Sequence, residues 1–368
     1  MGKCFYEKRN YSRARTKFQE LLTYFPDSPF RDETTLYLGR SYLGEGEYAL
    51  AIETFGRLED SRFRCDARFD MAEAMYVTDD YEGAVKAYQN LLESCPGISY
   101  REVALEKLAA SLLKMKEYST GIELYQSLLK GRLSEDERLE VSLRIADAYL
   151  ELSEPENALD ILLKADRDIK SDHGKARIRL KLSESYRKLG RLEEAIHALG
   201  EASQLAPKSE TSALSYYHLG AIYEQEYVDF EKAKEAYAAV LTEDKAVEVS
   251  QEAARKVTTF NTIEKLKSDL QDESVENPAE TQFLLAELLV IELQNTDLAI
   301  EEYQKVATQF EDSEYAPKAI YAIAWIYKNL KADPQTADEY FRRLIEEHSE
   351  TEYADVARKT LSEKGDLH

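Results

Sequence analysis

The sequence predicts an all-α protein built from repeated helical hairpins, and three observations support this prediction. Glycine and proline are scarce, at 14 and 8 of 368 residues, as expected for long helices joined by short turns. One pattern recurs along the chain: a bulky residue, a small residue three positions later, and an aromatic residue or leucine four positions after that. The intervals between the small residues cluster in the mid-thirties, the length of one helix–turn–helix unit.

The small residues define the register of the repeats. They are Ala14, Ala51, Ala84, Gly121, Ala158, Ala195, Ala233, Ala299 and Ala337. The steps between them are 37, 33, 37, 37, 37, 38, 66 and 38, and we interpret 66 as twice 33, so one unit has lost its pattern. A small residue lets the second helix of a hairpin approach the first, and the larger side chain one turn later fills the gap beyond it.

A second pattern, large–small–x–x–large, precedes most of these positions and predicts the first helix of each hairpin. It reads Leu38-Gly39 with Tyr42 in one unit and Leu182-Ser183 with Tyr186 in another. Proline follows several small residues by twelve positions, where it ends the second helix and begins the next joint. The predicted fold is therefore a chain of antiparallel helix pairs.

Irregular places divide the predicted array into four parts. The parts are 1–244, an N-terminal array; 245–277, a long helix or degenerate repeat followed by a polar joint; 278–350, a C-terminal pair of repeats; and 351–368, a capping helix and tail. Apolar spacing through 245–270 is consistent with one helix or with a hairpin bent near 258–262. Only Lys3–Lys8 could belong to the first helix of the first hairpin, so we expect the natural protein to extend further at this end, or the chain to be a fragment.

Composition narrows the class of function. Asp and Glu outnumber Lys and Arg by 71 to 48, and a net charge of −23 disfavours nucleic-acid binding. No stretch approaches the roughly 18 apolar residues that a membrane span needs, and no signal peptide is evident. Cys4, Cys65 and Cys95 are far apart and odd in number, so we expect buried or half-buried thiols rather than a disulfide framework.

No pattern of catalytic chemistry emerges from the sequence. The five histidines are scattered, and no two have the spacing of a helical metal pair. A glycine-rich phosphate loop and a serine nucleophile elbow are also missing from the sequence. We therefore predict a protein that is not an enzyme and that has no catalytic residues, no cofactor and no metal site.

The combined pattern of Leu-Gly-x-x-Tyr, then Ala-x-x-x-Phe or Tyr, then Pro, resembles the tetratricopeptide repeat over residues 11–348, except about 245–277. The resemblance implies a right-handed superhelical solenoid of about eight to nine antiparallel helix pairs, with one degenerate unit and a C-terminal capping helix. It also implies a concave face that binds a protein or peptide. Most units replace the first-helix tryptophan of the family.

Three joints are similar to those of bacterial cell-envelope repeat proteins, namely the BamD-type outer-membrane assembly lipoproteins and the Tol-Pal-associated repeat proteins. They begin at Phe25, Gln309 and His348. This similarity implies a bacterial periplasmic or cell-envelope location, with the cytoplasm as the alternative. Helix capping by Ser28, Ser313 and Thr351 explains the same residues without any envelope role.

In the family, first helices line the concave groove, and the resemblance implies a groove surface here. The candidate groove residues are Leu36, Arg40, Leu43, Phe69, Glu73, Tyr76, Leu143, Asp147, Tyr217, Phe283, Tyr321 and Trp325. A mixed row of aromatic and charged side chains suits an extended or helical peptide. The alternative is that several rings only cover the neighbouring helix.

A basic stretch within 175–191 opposes the overall charge. Arg177, Arg187 and Lys188 would project into the groove and could anchor an acidic peptide or a terminal carboxylate. Pairing with acidic neighbours on adjacent helices is the competing interpretation.

We therefore predict a non-catalytic scaffold for a protein or peptide partner. A self-associating structural array is one alternative, and the repeat part of a larger protein with a missing N-terminal module is another. The sequence leaves the partner and the oligomeric state open.

Overall fold

The computed structural model describes residues 1–243, 249–272 and 274–365, with side chains as far as Ser362. Within these ranges the chain forms α-helices and no strand, which confirms the predicted all-α class. The helices are grouped into two compact units, Met1–Pro207 and Lys208–His368. This division lies earlier in the chain than the boundary that we predicted at residue 245.

The N-terminal unit contains six consecutive helix pairs. Its helices are α1 (Gly2–Glu7), α2 (Tyr11–Tyr24), α3 (Arg31–Glu45), α4 (Tyr48–Gly56), α5 (Arg64–Val77), α6 (Tyr81–Ser94), α7 (Arg101–Lys114), α8 (Tyr118–Leu129), α9 (Glu135–Glu151), α10 (Pro155–Asp168), α11 (Asp172–Lys188) and α12 (Leu192–Leu205). Each helix packs mainly against its neighbours in the chain. Helix α1 is short because only a few residues precede the first turn.

The C-terminal unit contains three helix pairs and two helices outside the pairing. Its helices are α13 (Glu210–Gln225), α14 (Phe230–Val240), α15 (Val249–Asp269), α16 (Pro278–Ile291), α17 (Thr296–Gln309), α18 (Tyr315–Asn329), α19 (Pro334–Glu347) and α20 (Glu352–Gly365). Helix α15 stands between two pairs, and α20 packs on α19 and α18.

The recurring small residue and the larger residue four positions later form the core of every pair in the described chain. All nine small positions are buried in the second helices, between α2 and α19. The larger residues are buried as well: Phe18, Phe55, Tyr88, Tyr125, Leu162, Leu199, Tyr237, Tyr303 and Phe341. The packing role predicted for the repeat pattern is therefore confirmed.

The turn inside each pair contains one residue in the left-handed region. Within the described ranges these residues are Arg9, Gly46, Asp79, Lys116, Ser153, Gly190, Val228, Gln294 and Ala332. Each lies five positions before the small residue of its repeat. The residue after this left-handed residue often donates a 6→1 hydrogen bond to the end of the first helix. For example, the Glu47 N–H donates to the Tyr42 carbonyl at 2.9 Å. A common turn thus fixes the offset between the two helices.

Helix α15 accounts for the interval of 66 residues. It is continuous through 258–262, so of the two predicted alternatives the structure contains one helix rather than a hairpin. Residues 245–248 of the predicted segment lie outside the described residues. Phe260 and Ile263 are buried in the core of the C-terminal unit, and the Lys256 ammonium donates to the buried Glu224 carboxylate at 2.6 Å. The irregular helix is therefore packed and ion-paired like its neighbours.

The prediction for the cysteines was wrong. Cys65 and Cys95 form a disulfide with their Cα atoms 6.1 Å apart, and Cys4 is exposed rather than buried. Cys65 lies at the start of α5 and Cys95 directly follows α6. The two helices are antiparallel partners, so residues 30 positions apart in sequence meet at the open end of one hairpin.

Candidate functional site

The C-terminal unit has a cleft of about 750 Å³ along the neighbouring first helices α16 and α18. This volume lies within the range of ordinary ligand sites. The lining residues are Phe283, Glu287, Val290 and Ile291 of α16, Tyr303 of α17, Lys318, Tyr321, Ala322, Trp325 and Ile326 of α18, Leu330, and Tyr353 of α20. On both helices they recur at spacings of three, four and seven residues, which places them on one helical face.

The cleft exposes large apolar side chains. Ile291, Trp325 and Leu330 are 62%, 44% and 50% exposed. Trp325 is the single tryptophan of the chain. Exposed apolar side chains grouped in a concave surface are typical of sites that bind another molecule. Three predicted groove residues, Phe283, Tyr321 and Trp325, come together in this cleft.

Aromatic packing holds the floor of the cleft. The Phe283 ring meets the Tyr303 ring edge-on, with centroids 5.1 Å apart. The Tyr321 ring lies 6.0 Å from that of Phe341 and 5.7 Å from that of Tyr353. Tyr303 is only 3% exposed, and burial, followed by the nearby Glu287 carboxylate, raises the pKa of its hydroxyl. The floor of the cleft thus consists of packed aromatic rings, and the tyrosine Tyr303 is one of them.

Nine of the twelve lining residues were not predicted from the sequence, among them Glu287, Val290 and Tyr303. The candidates Arg40 and Leu43 stand two and five positions after Leu38, the first large residue of the large–small pattern. Glu287 and Val290 stand at the same two positions after Leu285, so this rule would also have placed them in the groove. Tyr303 belongs to the packing pattern, and its second role in the cleft wall depends on which side chains surround it. Applying the register rule to every unit would have found the first two.

The charged groove candidates of the N-terminal unit are engaged in ion pairs between successive first helices. Arg40 pairs with Asp70 at 2.5 Å, Glu73 with Lys107 at 3.2 Å, and Asp147 with Lys181 at 2.8 Å. The Tyr88 hydroxyl also donates to Glu73. Burial raises the pKa of the Asp70 carboxyl to about 6, because the loss of solvation outweighs the opposing effect of Arg40.

The apolar candidates of this unit are largely covered. Leu36 and Leu143 are 3% and 7% exposed and belong to the hydrophobic core, so their predicted place in an open groove was wrong. Leu43 is partly buried against the core. Phe69 packs edge-on against Tyr100 at 5.1 Å.

Two further predicted rings also have aromatic neighbours. The Tyr76 ring lies 5.5 Å from that of Tyr81. In the C-terminal unit, the Tyr217 ring lies 5.5 Å from the ring of the buried Tyr237. These contacts agree with the alternative that several rings cover a neighbouring helix.

The basic stretch on α11 is extensively paired. Arg177 pairs with Glu140, and Arg179 with Asp166 at 3.1 Å. Arg187 and Lys188 lie in the last turn of α11, where a positive charge also stabilises the helix terminus. The competing interpretation, pairing with acidic neighbours, therefore describes Arg177.

The described residues contain neither a membrane-spanning helix nor a metal site. None of their helices combines the length and apolarity that a crossing of the lipid bilayer requires. In the same part of the chain, no three His, Cys, Asp or Glu side chains are grouped so as to hold a metal ion.

The fold and the cleft together define an all-α repeat protein with an apolar cleft in its C-terminal unit. Family models of the tetratricopeptide repeat match residues 1–63, 36–97, 176–209 and 318–351. These stretches are therefore tetratricopeptide repeats, in agreement with the resemblance seen in the sequence. No curated protein sequence gives a significant match.

Solved structures with a similar fold include a tetratricopeptide repeat protein from Parabacteroides merdae, with 15% identity, coverage of 70% of this chain and 96% of that chain, and a TM-score of 0.48. The C-terminal part of a repeat-containing protein from Cytophaga hutchinsonii has 15% identity, coverage of 76% and 97%, and a TM-score of 0.48. MamA from Desulfovibrio magneticus has 18% identity, coverage of 48% and 93%, and a TM-score of 0.39. No functional conclusion follows from likeness at this level.

Proposed function

We propose that this protein is a non-catalytic interaction scaffold and that a segment of a partner protein binds in the cleft of the C-terminal unit. The observation that carries the proposal is the group of exposed apolar side chains, Ile291, Trp325 and Leu330, around a cleft of about 750 Å³. Burying such side chains against a partner removes apolar surface from water, and aromatic anchors of this kind dominate binding energy in many interfaces.

The cleft is a better candidate than the first helices of the N-terminal unit. There, the charged candidates Arg40, Glu73 and Asp147 already have partners in the chain, and Leu36 and Leu143 are buried. A partner would have to displace these contacts before it could form its own. In the cleft, the Trp325 and Ile291 side chains are exposed, so a partner can contact them directly.

A paired substitution tests the cleft. The full chain serves as bait in extracts of the source cells, and proteins recovered by the wild type are compared with those recovered by Trp325→Ala/Ile291→Ser. Both side chains are exposed, so the double variant should fold. We expect recovery of a specific partner to fall by roughly tenfold or more, since hot-spot truncations cost about 2 kcal/mol or more.

The matched control is Tyr24→Ala/Phe25→Ala, which removes two exposed aromatic side chains that lie in the N-terminal unit, outside the cleft. This control should retain the partner. Equal recovery by the wild type and the cleft variant, with unchanged helical content, would refute binding at this place.

We further propose a location in the bacterial periplasm or cell envelope, in preference to the cytoplasm. The Cys65–Cys95 disulfide supports it, because disulfides persist in oxidising compartments and are rare in the cytosol. The three joints that resemble those of envelope repeat proteins support the same location. The reactivity of the cysteines in the native cells tests this proposal.

A further inference from the structure

Three ion pairs between successive first helices of the N-terminal unit occupy the same two positions of the repeat. In each pair, one partner stands two positions after the first large residue of the large–small pattern in its own helix. The other partner stands one position before the corresponding large residue of the next first helix. These pairs are Arg40–Asp70, Glu73–Lys107 and Asp147–Lys181. Two further pairs, Lys3–Glu33 and Arg177–Glu140, join successive first helices at other positions. Between α7 and α9, the first position is Ala110 and the second is Arg144. The first position there is not acidic, so it needs no cation to pair with it.

The same two positions in the cleft hold Glu287 on α16 and Ala322 on α18. Ala322 thus stands where Lys107 stands relative to Glu73. Among the residues that the structure describes, Glu287 has no ion-pair or hydrogen-bond partner, while the other cleft charge, Lys318, lies 3.6 Å from Glu314. Because Ala322 occupies the position that a lysine holds in α7, the cleft has space beside the Glu287 carboxylate. Both Glu287 and Ala322 line that space.

Tyr303 adds a second polar group. It corresponds in the repeat to Tyr88 and Tyr237, whose hydroxyls donate to Glu73 and Glu224. The Tyr303 hydroxyl makes no hydrogen bond with the described residues, although the side chain is 3% exposed and lines the cleft. Because this hydroxyl has no partner among the described residues and its side chain lines the cleft, it can donate a hydrogen bond to a ligand.

The charge of the unit favours a cationic partner. Residues 208–368 contain 34 Asp and Glu against 17 Lys and Arg, a balance of −17 out of the chain's −23. Such an excess attracts basic surfaces and increases their rate of association.

We propose that the cleft receives a lysine or arginine side chain, flanked by apolar residues, from a basic segment of a partner protein. Glu287 pairs with this cation as Glu73 pairs with Lys107. The aliphatic stem lies against the apolar cleft wall, and a backbone carbonyl of the segment accepts from the Tyr303 hydroxyl. Trp325 offers an aromatic face to the cation. The inference rests on the proposed scaffold function and specifies its ligand.

A selection experiment tests this chemistry. Random dodecapeptides displayed on phage are selected on the full wild-type chain, and the selected peptides are synthesised and titrated while the emission of Trp325 is recorded. Because Trp325 is the only tryptophan, its emission reports on the cleft directly. We expect the peptides to combine Lys or Arg with aromatic or aliphatic neighbours.

Substitutions on both sides then isolate the ion pair. We expect Glu287→Gln, or norleucine in place of the peptide's basic residue, to weaken binding by roughly tenfold, and the two changes together to weaken it little further. Ala322→Lys should supply the cation from within the chain and prevent binding. The exposed Glu301, also in the C-terminal unit, gives the control Glu301→Gln, which removes the same charge and should leave the affinity unchanged.

The outcomes separate the two proposals. Peptides that shift Trp325 emission but show no basic preference, or no coupling to Glu287, overturn the cation site and leave the scaffold cleft intact. The cation site is likewise overturned if Glu301→Gln weakens binding as much as Glu287→Gln does. A selection in which no peptide changes Trp325 emission overturns both proposals.

Discussion

Asp70 shows how burial alters an acidic side chain on the inner face of this protein. Its carboxylate pairs with Arg40 at 2.5 Å, yet burial raises its pKa from 3.8 to about 6. The folded protein therefore holds the Asp70 proton more tightly than the unfolded chain does. It follows that the contribution of Asp70 to the free energy of unfolding is largest below about pH 4 and declines as the pH rises towards 6.

This sign gives a prediction for Asp70→Asn. As the pH is lowered from 7 to 4, the wild type should gain stability relative to the variant, by up to about 1.4 kcal/mol per pH unit inside the window. Urea unfolding followed by circular dichroism at several pH values measures the difference. A difference that stays constant over this range would show that Asp70 does not titrate as stated.

At the scale of the helix pair, close approach of two helices is the feature that the sequence encodes most directly. A β-carbon built on Gly220 of α13 would lie 2.8 Å from the ring of Tyr237 on α14, closer than side-chain carbons come in folded proteins. The ring of Tyr237 is itself buried, and its hydroxyl donates to the Glu224 carboxylate, which also pairs with Lys256. The pair therefore has no room to accept a larger residue at this position.

Gly220→Ala should accordingly destabilise the C-terminal unit by about 1–3 kcal/mol, the usual cost of overpacking. Gly200→Ala is the control, because a β-carbon there meets no atom within 4 Å and alanine favours a helix over glycine. Hydrogen exchange of the helical amides measures both effects locally. Unchanged protection of α13 and α14 in Gly220→Ala would contradict the packing account.

The helix pairs were predictable because their signals are local. The small residue and its larger partner recur at fixed spacing, and both are buried as predicted. The left-handed turn residue was not predicted. Glycine marks it at Gly46 and Gly190, but Arg9 or Val228 in the same conformation has no distinctive sequence signal. The Cys65–Cys95 bond was missed because it depends on the meeting of two helix ends that are distant in sequence.

The binding residues were less predictable than the fold for a related reason. Whether Glu73 or Glu287 is free depends on the residue that the next first helix presents, Lys107 in one case and Ala322 in the other. Position in the repeat indicates which side chains face inward. It does not show which of them already have partners.

At the scale of the whole molecule, the acidic charge and the disulfide are unevenly distributed. The charge is concentrated in residues 208–368, and the disulfide lies in the N-terminal unit. In repeat arrays, stability depends mainly on contacts between neighbouring repeats. We therefore expect the disulfide to stabilise its own hairpin and the adjacent repeats, independently of the cleft.

The proposed envelope location predicts the state of the cysteines in the cell. Native cells are quenched in acid, free thiols are blocked with one maleimide, and a second maleimide is added after reduction. Mass spectrometry should find the first label on the exposed Cys4 and the second on Cys65 and Cys95. The first label on all three would indicate a reducing compartment.

The Cys65–Cys95 bond also closes a covalent ring around the turn of one hairpin. If the molecule were stretched from its two ends, tension would pass from Cys65 to Cys95 through the sulfur atoms and would bypass the intervening chain. With a sequence separation of 30 residues, the fully extended molecule would be shorter by about 100 Å than its reduced form. The α5–α6 hairpin would thus be shielded from a pulling force that unravels the repeats on either side.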